Sequence, residues 1–249
     1  MAYPRCTIEQ AFPVDIPILA QIAGESFVTD RHTRLKALSH KSYNHEASMS
    51  GALAYWLSNT DKYNVMKAVS DLTGNMVGWA CWSSRGMGDR AEEHRENTKI
   101  DDQAAQKATA DIRTEAGVTE SLDQDPISQL EALTDADLRH WMSILMPANT
   151  KCMFIVSVAV VPHAQSHGVG SQLVRWGTTR ADGEGVFCWV HSSEAGQRML
   201  ERQGFVVVGS LTVDLDKYAT TKCDEAEDGT WGNYTFRYMK RLPIEQELL

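Results

Sequence analysis

The chain lacks a long apolar run. None reaches the ~18 residues that a membrane-spanning helix needs, although 43% of the residues are apolar. Met1-Ala-Tyr-Pro-Arg5 is followed by no short apolar core of the kind a secretory signal carries. Both absences predict a cytoplasmic protein with no membrane partner. Paired cysteines are missing too. The five present, Cys6, Cys81, Cys152, Cys188 and Cys223, have neither bridge-like nor ligand-like spacing. Three of them fall in apolar, strand-like runs, which predicts buried thiols in a reducing compartment, without disulfides or a metal site. Positive charge is scarce: 24 Lys and Arg stand against 33 Asp and Glu, a net charge of −9. That balance argues against a nucleic-acid partner and suits a cationic substrate. The 249 residues suit one domain, with room for an insertion.

What is present centres on one stretch. Met153 to Val161 is an apolar run broken only by Ser157 and closed by Pro162. Its length and β-branching predict a buried strand. A short polar loop follows, and then Val169, Leu173 and Trp176 recur at helical spacing. The unit reads as strand, glycine loop, helix. Such a junction offers unpaired backbone N–H groups at the positive end of a helix dipole, a site for phosphate. Gly168 and Gly170 let a ligand approach the backbone. The dinucleotide fingerprint is excluded, because Leu173 stands where its third glycine belongs. The nucleotide-kinase loop is excluded as well, because no Gly-Lys-Ser/Thr follows.

Gln165-Ser-His-Gly168-Val-Gly170 does resemble the Q/R-x-x-G-x-G/A pyrophosphate loop of the GNAT superfamily of N-acetyltransferases. Val158-Ala-Val-Val-Pro162 is similar to the strand end that precedes that loop. A second motif agrees: Ser193-Glu-Ala-Gly-Gln-Arg-Met-Leu-Glu-Arg-Gln-Gly-Phe205 resembles the family's N-x-x-A-x-x-L-Y-E-K-x-G-F. The resemblance is strong over 152–241 and weaker over 7–82, and it does not cover 88–150. It implies an α/β (α+β) fold, a mixed central sheet of about six to seven strands flanked by helices. The departure lies between the third and fourth strands. Asp89 to Pro126 carries eleven acidic and five basic residues, which predicts an acidic surface insertion within 88–150, with a helix over Ala104–Ala116. Ile127 to Met146 regains helical periodicity, with Thr134 as a helix start and Pro147 as a stop. A long acidic insertion of this kind is similar to those of fungal members.

Elsewhere the pattern predicts a strand over Cys6–Ala11 and a helix with Asp15 as N-cap. A hairpin is predicted from Asn64–Val69 and Met76–Trp82, a strand over Gly185–Val190, and a helix from Glu194 capped by Ser193. Gly204 would close that helix, Phe205–Leu215 would be a long strand, and Tyr234–Met239 the last one.

The resemblance implies acetyl-CoA as cofactor and an acyltransferase activity. Backbone groups of Val158, Ala159 and Val160 would hold the pantetheine arm. Gln165, Ser166, His167, Gly168, Val169, Gly170 and Ser171 would take the pyrophosphate, with Ser193 near the cofactor. The family's second-motif tyrosine, which protonates the leaving thiolate, is replaced by Leu200, and no glutamate lies on the fourth strand. That leaves Ser157 and His191 as catalytic candidates, His191 because imidazole titrates near neutrality. On the acceptor side, Glu25, Asp30 and Trp79 are the candidates, and the segment from about Ser26 to Asn59 is rich in His32, Arg34, His40 and His45. The expected reaction is direct attack by a primary amine of a small molecule on acetyl-CoA in a ternary complex. The alternatives are a peptide or protein acetyltransferase and a non-catalytic acyl-CoA-binding module.

Overall fold

A computed structural model describes residues 5–38, 43–87, 125–224 and 226–244. Two stretches of alternating and apolar sequence become the first hairpin, β2 (Tyr63–Ser70) and β3 (Met76–Arg85). Its turn uses Gly74 at φ +71°, where a side chain would be strained. β1 (Cys6–Gln10) adds antiparallel to β2, and β4 (Cys152–Val160) adds antiparallel to β3. β5 (Phe187–Ser192) lies parallel to β4. β7 (Asn233–Arg241) and β6 (Val206–Asp214) complete the sheet, in the order β1-β2-β3-β4-β5-β7-β6. The sheet is mixed and seven-stranded, flanked by helices, as the resemblance implies.

Helices cover both faces. α1 (Ile16–Ser26) and α3 (His45–Ser58) pack on the β2–β4 half of one face. α5 (Val169–Gly183) packs on the other face. Trp79 and Trp82, three residues apart on β3, face opposite sides. Trp79 donates its indole N–H to Leu19 O of α1 at 2.8 Å, and Trp82 donates to Leu173 O of α5 at 3.3 Å. Both are fully buried. Trp82 lies so close under α5 that a Cβ at Gly177 would overlap its ring. Trp79 is therefore core rather than a wall of the acceptor pocket, which corrects the expectation above.

The β5–β7 half is closed differently. α2 (Arg31–Ala37) and α4 (Pro126–Leu145) lie over it on the face opposite α5. α4 is one continuous helix. Its N-cap is Asp125, whose carboxylate accepts from Ile127 N, with Pro126 in the first turn. The expected start at Thr134 is wrong, because the Thr134 hydroxyl donates back to Leu130 O and Glu131 O and so sits inside the helix. Trp141 of α4 stacks on Tyr238 with centroids 4.9 Å apart and fills the space beside Gly209, where a Cβ would overlap the ring. Leu35, Ile127, Leu130, Tyr234 and Phe236 form a second core beneath α2 and α4. The expected helix over Ala104–Ala116 and His40 lie outside the described residues.

Two other caps differ from expectation. Asp15 stands at the N-cap position of α1, but its carboxylate turns back to Phe12 N and to Lys67 Nζ, at 2.8 and 2.9 Å. α6 (Gln197–Arg202) begins three residues later than Ser193 would start it, with Gly196 at its N-cap. Glu194 is drawn away from the helix by Arg31 and by Thr235 N of β7. The C-terminal end is as expected: Gly204 has φ +85°, and Phe205 N returns to Leu200 O.

Candidate active site

The site begins where β4 leaves β5. Their parallel pairing runs from Cys152–Phe187 to Ile155–Val190 and then ends. On the β3 side, Cys81 pairs with Ser157 and Trp82 with Ile155, so Val156 is an extra, bulged residue. A bulge bends its strand and sharpens the twist. From Val156 to Val160 the β5 side of β4 is therefore an open gap. Val161 N donates to Val77 O of β3, and backbone groups along a strand alternate sides. Ala159 thus faces β3, while Val158 and Val160 face the gap. Of the three residues expected to bind pantetheine through their backbone, Ala159 is turned away.

Gln165 donates its side-chain amide to Val160 O at 3.0 Å, tying the loop to the end of β4. It braces the loop rather than reaching outward. Ser166 then takes φ +61° and Gly168 φ +89°. A left-handed serine carries a local cost of about 1–2 kcal/mol, and such residues cluster where backbone amides must converge. Gly168 precedes α5, and the first amides of that helix have no intrahelical acceptor. A Cβ built at Gly168 would meet nothing within 4 Å, and one at Gly170 nothing closer than 3.8 Å. The loop is an exposed nest of N–H groups at a helix N-terminus, with open space above it. A pyrophosphate fits here through Ser166 to Ser171. His163 and His167 are exposed beside it.

Across the gap the character changes from backbone to side chain. His191, near the end of β5, stacks on Tyr238 (centroids 4.8 Å, planes 13° apart) and lies 5.2 Å from Phe236. Phe236 in turn meets His32 of α2 edge-on at 5.0 Å. Burial pushes the His191 imidazole down to about 4. His32 is also lowered to about 4, by burial first and then by Lys36. His45 falls to about 4 for the same two reasons. Neutral imidazoles are what a water-poor wall requires. Tyr238 donates to Asp137 at 2.7 Å and Tyr234 to Asp30 at 2.6 Å. Burial and those carboxylates raise both phenols far above their usual range.

The other candidates separate. Asp30 caps α2 through Thr33 N (2.9 Å) while holding Tyr234, so it fastens α2 to β7. Glu25 is exposed on α1, accepting from Gln21 at 2.9 Å, and is not part of the wall. Ser157 sits half-buried beside the bulge in the open half of β4. Ser193 lies at the turn after β5, its carbonyl accepting from Ser192 Oγ at 2.9 Å. Leu200 is buried. Asp137, Tyr238, Arg31 and Glu194 escaped the sequence reading. Arg31 spans Glu194 Oε2, Trp231 O and Asn233 O at 2.6–2.8 Å, which latches α2 over the end of β5. No local sequence pattern signals that latch.

Solved structures share this architecture. Arylalkylamine N-acetyltransferase 2 from Aedes aegypti superposes with a TM-score of 0.59 at 13% identity, covering 95% of this chain and 98% of that one. The structure described as histone acetyltransferase HPA2 and related acetyltransferase, from Corynebacterium glutamicum, gives 0.53 at 16% identity, covering 98% and 99%. A polyamine N-acetyltransferase from Drosophila melanogaster, described as forming N-acetylagmatine, gives 0.51 at 13% identity, covering 95% and 99%. At these identities the likeness concerns the fold. No curated protein sequence matches the chain. The profile of the acetyltransferase (GNAT) family matches residues 30–205, which include the bulged strand, the glycine loop and the second motif. The chain belongs to the GNAT acetyltransferase family.

Proposed function

We propose that the chain transfers an acetyl group from acetyl-CoA to the primary amine of a small molecule. The observation that carries this is the gap between β4 and β5. It runs from the Val156 bulge to a left-handed loop on the N-terminus of α5. Backbone N–H groups of Val158 and Val160 would hold the pantetheine arm, and the loop from Ser166 to Ser171 the pyrophosphate. Acetyl-CoA supplies the activated thioester. An N–H aimed at its carbonyl oxygen from Val158 would stabilise developing negative charge.

The acceptor side supports a small amine. α2 and α4 cover the β5–β7 face beside the gap. Arylalkylamine, agmatine and polyamine enzymes among the similar structures agree with that reading. The chain's negative charge draws cations toward it.

Proton handling follows from the chemistry available. A lysine-like amine has a pKa of about 10.4 and must lose its proton before attack. His191, held near 4, is too weak a base to pull that proton efficiently. Tyr234 and Tyr238 already donate to carboxylates, and Leu200 has no proton to give. We infer that catalysis rests on positioning, with the amine entering neutral and water carrying protons. The test is acetyl-CoA turnover against a panel of small amines and lysine peptides, with products identified by mass spectrometry. Acetylated small amines and unmodified peptides are expected. Acetyl-CoA binding without acetylation of any acceptor would make the chain a binding module instead.

A further inference from the structure

α2 is short and has little to bury. Of its seven residues only Leu35 is buried. Apolar packing therefore does little to set where the helix stands, and its polar ties decide. Tyr234 to Asp30 is one, and Lys36 to Glu131 of α4, at 2.9 Å, is another. The third is Arg31. Its Nη1 reaches Trp231 O, and its Nη2 reaches both Glu194 Oε2 and Asn233 O. The other oxygen of Glu194 accepts from Thr235 N at 3.0 Å. One ion pair thus joins α2, the turn after β5 and the start of β7.

This pair is not placed to hold the fold together. Each side chain is 35% exposed, and pairs that stay wet contribute little to stability. Arg241 and Asp182 are the contrast. They form a bidentate pair, 8% and 15% exposed, that joins β7 to the last turn of α5. Removing one partner there leaves a buried charge alone. What the exposed pair fixes is geometry. His32, the next residue of α2, meets Phe236 edge-on, and Phe236 lies 5.2 Å from His191 of β5. Glu194 follows the end of β5 by two residues. The pair therefore ties the helix that carries His32 to the strand that carries His191. An arginine is needed for this: lysine brings a point charge in place of a planar fork, and cannot meet three oxygens in the same arrangement.

We propose that Arg31 and Glu194 are positioning residues for the amine acceptor, holding α2 and the end of β5 together across the wall they share. The assignment rests on reading the β4–β5 gap as the site of acetyl transfer. α2 lies on the face opposite α5, so shifting it leaves the glycine loop in place. Initial rates with phenylethylamine and with agmatine, at saturating acetyl-CoA, test the proposal. Arg31→Met should raise the acceptor KM about tenfold and change kcat less than about twofold, the signature of lost binding common to ground and transition states. Arg31→Lys should fall between that variant and wild type, and it carries the same test should Arg31→Met fail to fold. Glu194→Gln should match Arg31→Met, and the double variant should go no further, because the two residues act as one unit. Acetyl-CoA affinity, read by calorimetry, should not move. Asp182→Asn is the control for a merely structural pair: it should lower the thermal midpoint and leave the acceptor KM alone. A KM within about twofold of wild type in the folded variants, an equal rise in Asp182→Asn, or a parallel loss of acetyl-CoA affinity would overturn the proposal. A wild-type chain that binds acetyl-CoA and acetylates neither amine would overturn it differently, by removing the transfer reading beneath it.

Discussion

The two sides of the β4–β5 gap are built by different means. On the α5 side, the gap is lined by backbone: the Val156 bulge, the left-handed Ser166 and Gly168, and the first amides of a helix. Gln165 is tied inward to Val160 O. On the β7 side the wall is made of packed rings and half-buried imidazoles: His191 on Tyr238, His32 against Phe236, Trp141 over Gly209. Backbone recognition tolerates sequence change as long as φ and ψ are kept. Side-chain recognition does not. One cofactor with many acceptors is what that asymmetry suits.

The comparison breaks most completely at the loop. Gly168→Glu or Gly170→Glu places a carboxylate where the pyrophosphate would lie, and acetyl-CoA binding should be lost. Gly168→Ala is the matched control. It meets open space and adds only a left-handed alanine, at a cost of about 1–2 kcal/mol. Calorimetric titration with acetyl-CoA and a thermal melt of each variant separate the two effects. Undiminished affinity in a folded Gly168→Glu variant would remove this loop from the cofactor site.

On the other side, the weak point is a ring. Trp141→Ala deletes the stack on Tyr238 and opens the space above Gly209. Loss of a fully buried tryptophan costs about 3–5 kcal/mol; Trp141 is half-buried, so a smaller loss is expected, read by denaturant unfolding. Gly209→Ala should loosen the same contact from below, because its methyl group must push the ring away. Acetyl-CoA affinity should fall little in either variant, since α4 lies on the face of the sheet opposite α5. If both sides failed together, the two walls would be one cooperative unit rather than two.

Acid should also weaken the fold. His32, His45 and His191 are held near 4 in the folded chain, below the ~6.5 of a free imidazole. Between those values the unfolded chain binds protons that the folded one refuses, so stability is present above about pH 6.5 and falls as pH drops toward 4. Urea midpoints measured between pH 7 and pH 4 should decline, and more shallowly in a His32→Phe variant. An unchanged slope in that variant would mean that His32 is not a source of the acid sensitivity.

Much of the loop side was legible in the sequence, because its signals are local. A β-branched run closed by Pro162, then Gly168 and Gly170, then helical spacing, is a pattern within one window. The side-chain wall was not legible, because its members come from α2, α4, β5 and β7, far apart in the chain. Trp79 was taken for a possible wall and is core, since periodicity tells which face a strand residue takes but not what covers that face. Thr134 was taken for a helix start because a threonine hydroxyl can cap; inside α4 it bonds backward instead. Ser193 misled for a related reason: Glu194, which would have followed it into the helix, is held by Arg31 and by Thr235 N. No local pattern announces a bond between residues 31 and 194.

The smallest expected effect is the sharpest test of the wall. His191→Phe keeps a ring on Tyr238 and removes both nitrogens. If His191 only completes the aromatic wall, kcat should change a few fold, and acetyl-CoA affinity should not move. A general base is worth roughly 10² or more, so a loss of that size in a well-folded variant would make His191 catalytic and overturn the positioning reading. The pH profile gives an independent reading of the same question. With His191 held near 4, any ionisation seen in kcat/KM between pH 6 and 9 belongs to another group, and the rate should keep rising toward the pKa of the substrate amine. Exchanging the acceptor for an amine of lower pKa should move that limb down in step. A limb that stays fixed when the amine changes, and vanishes in His191→Phe, would instead assign the proton to the enzyme.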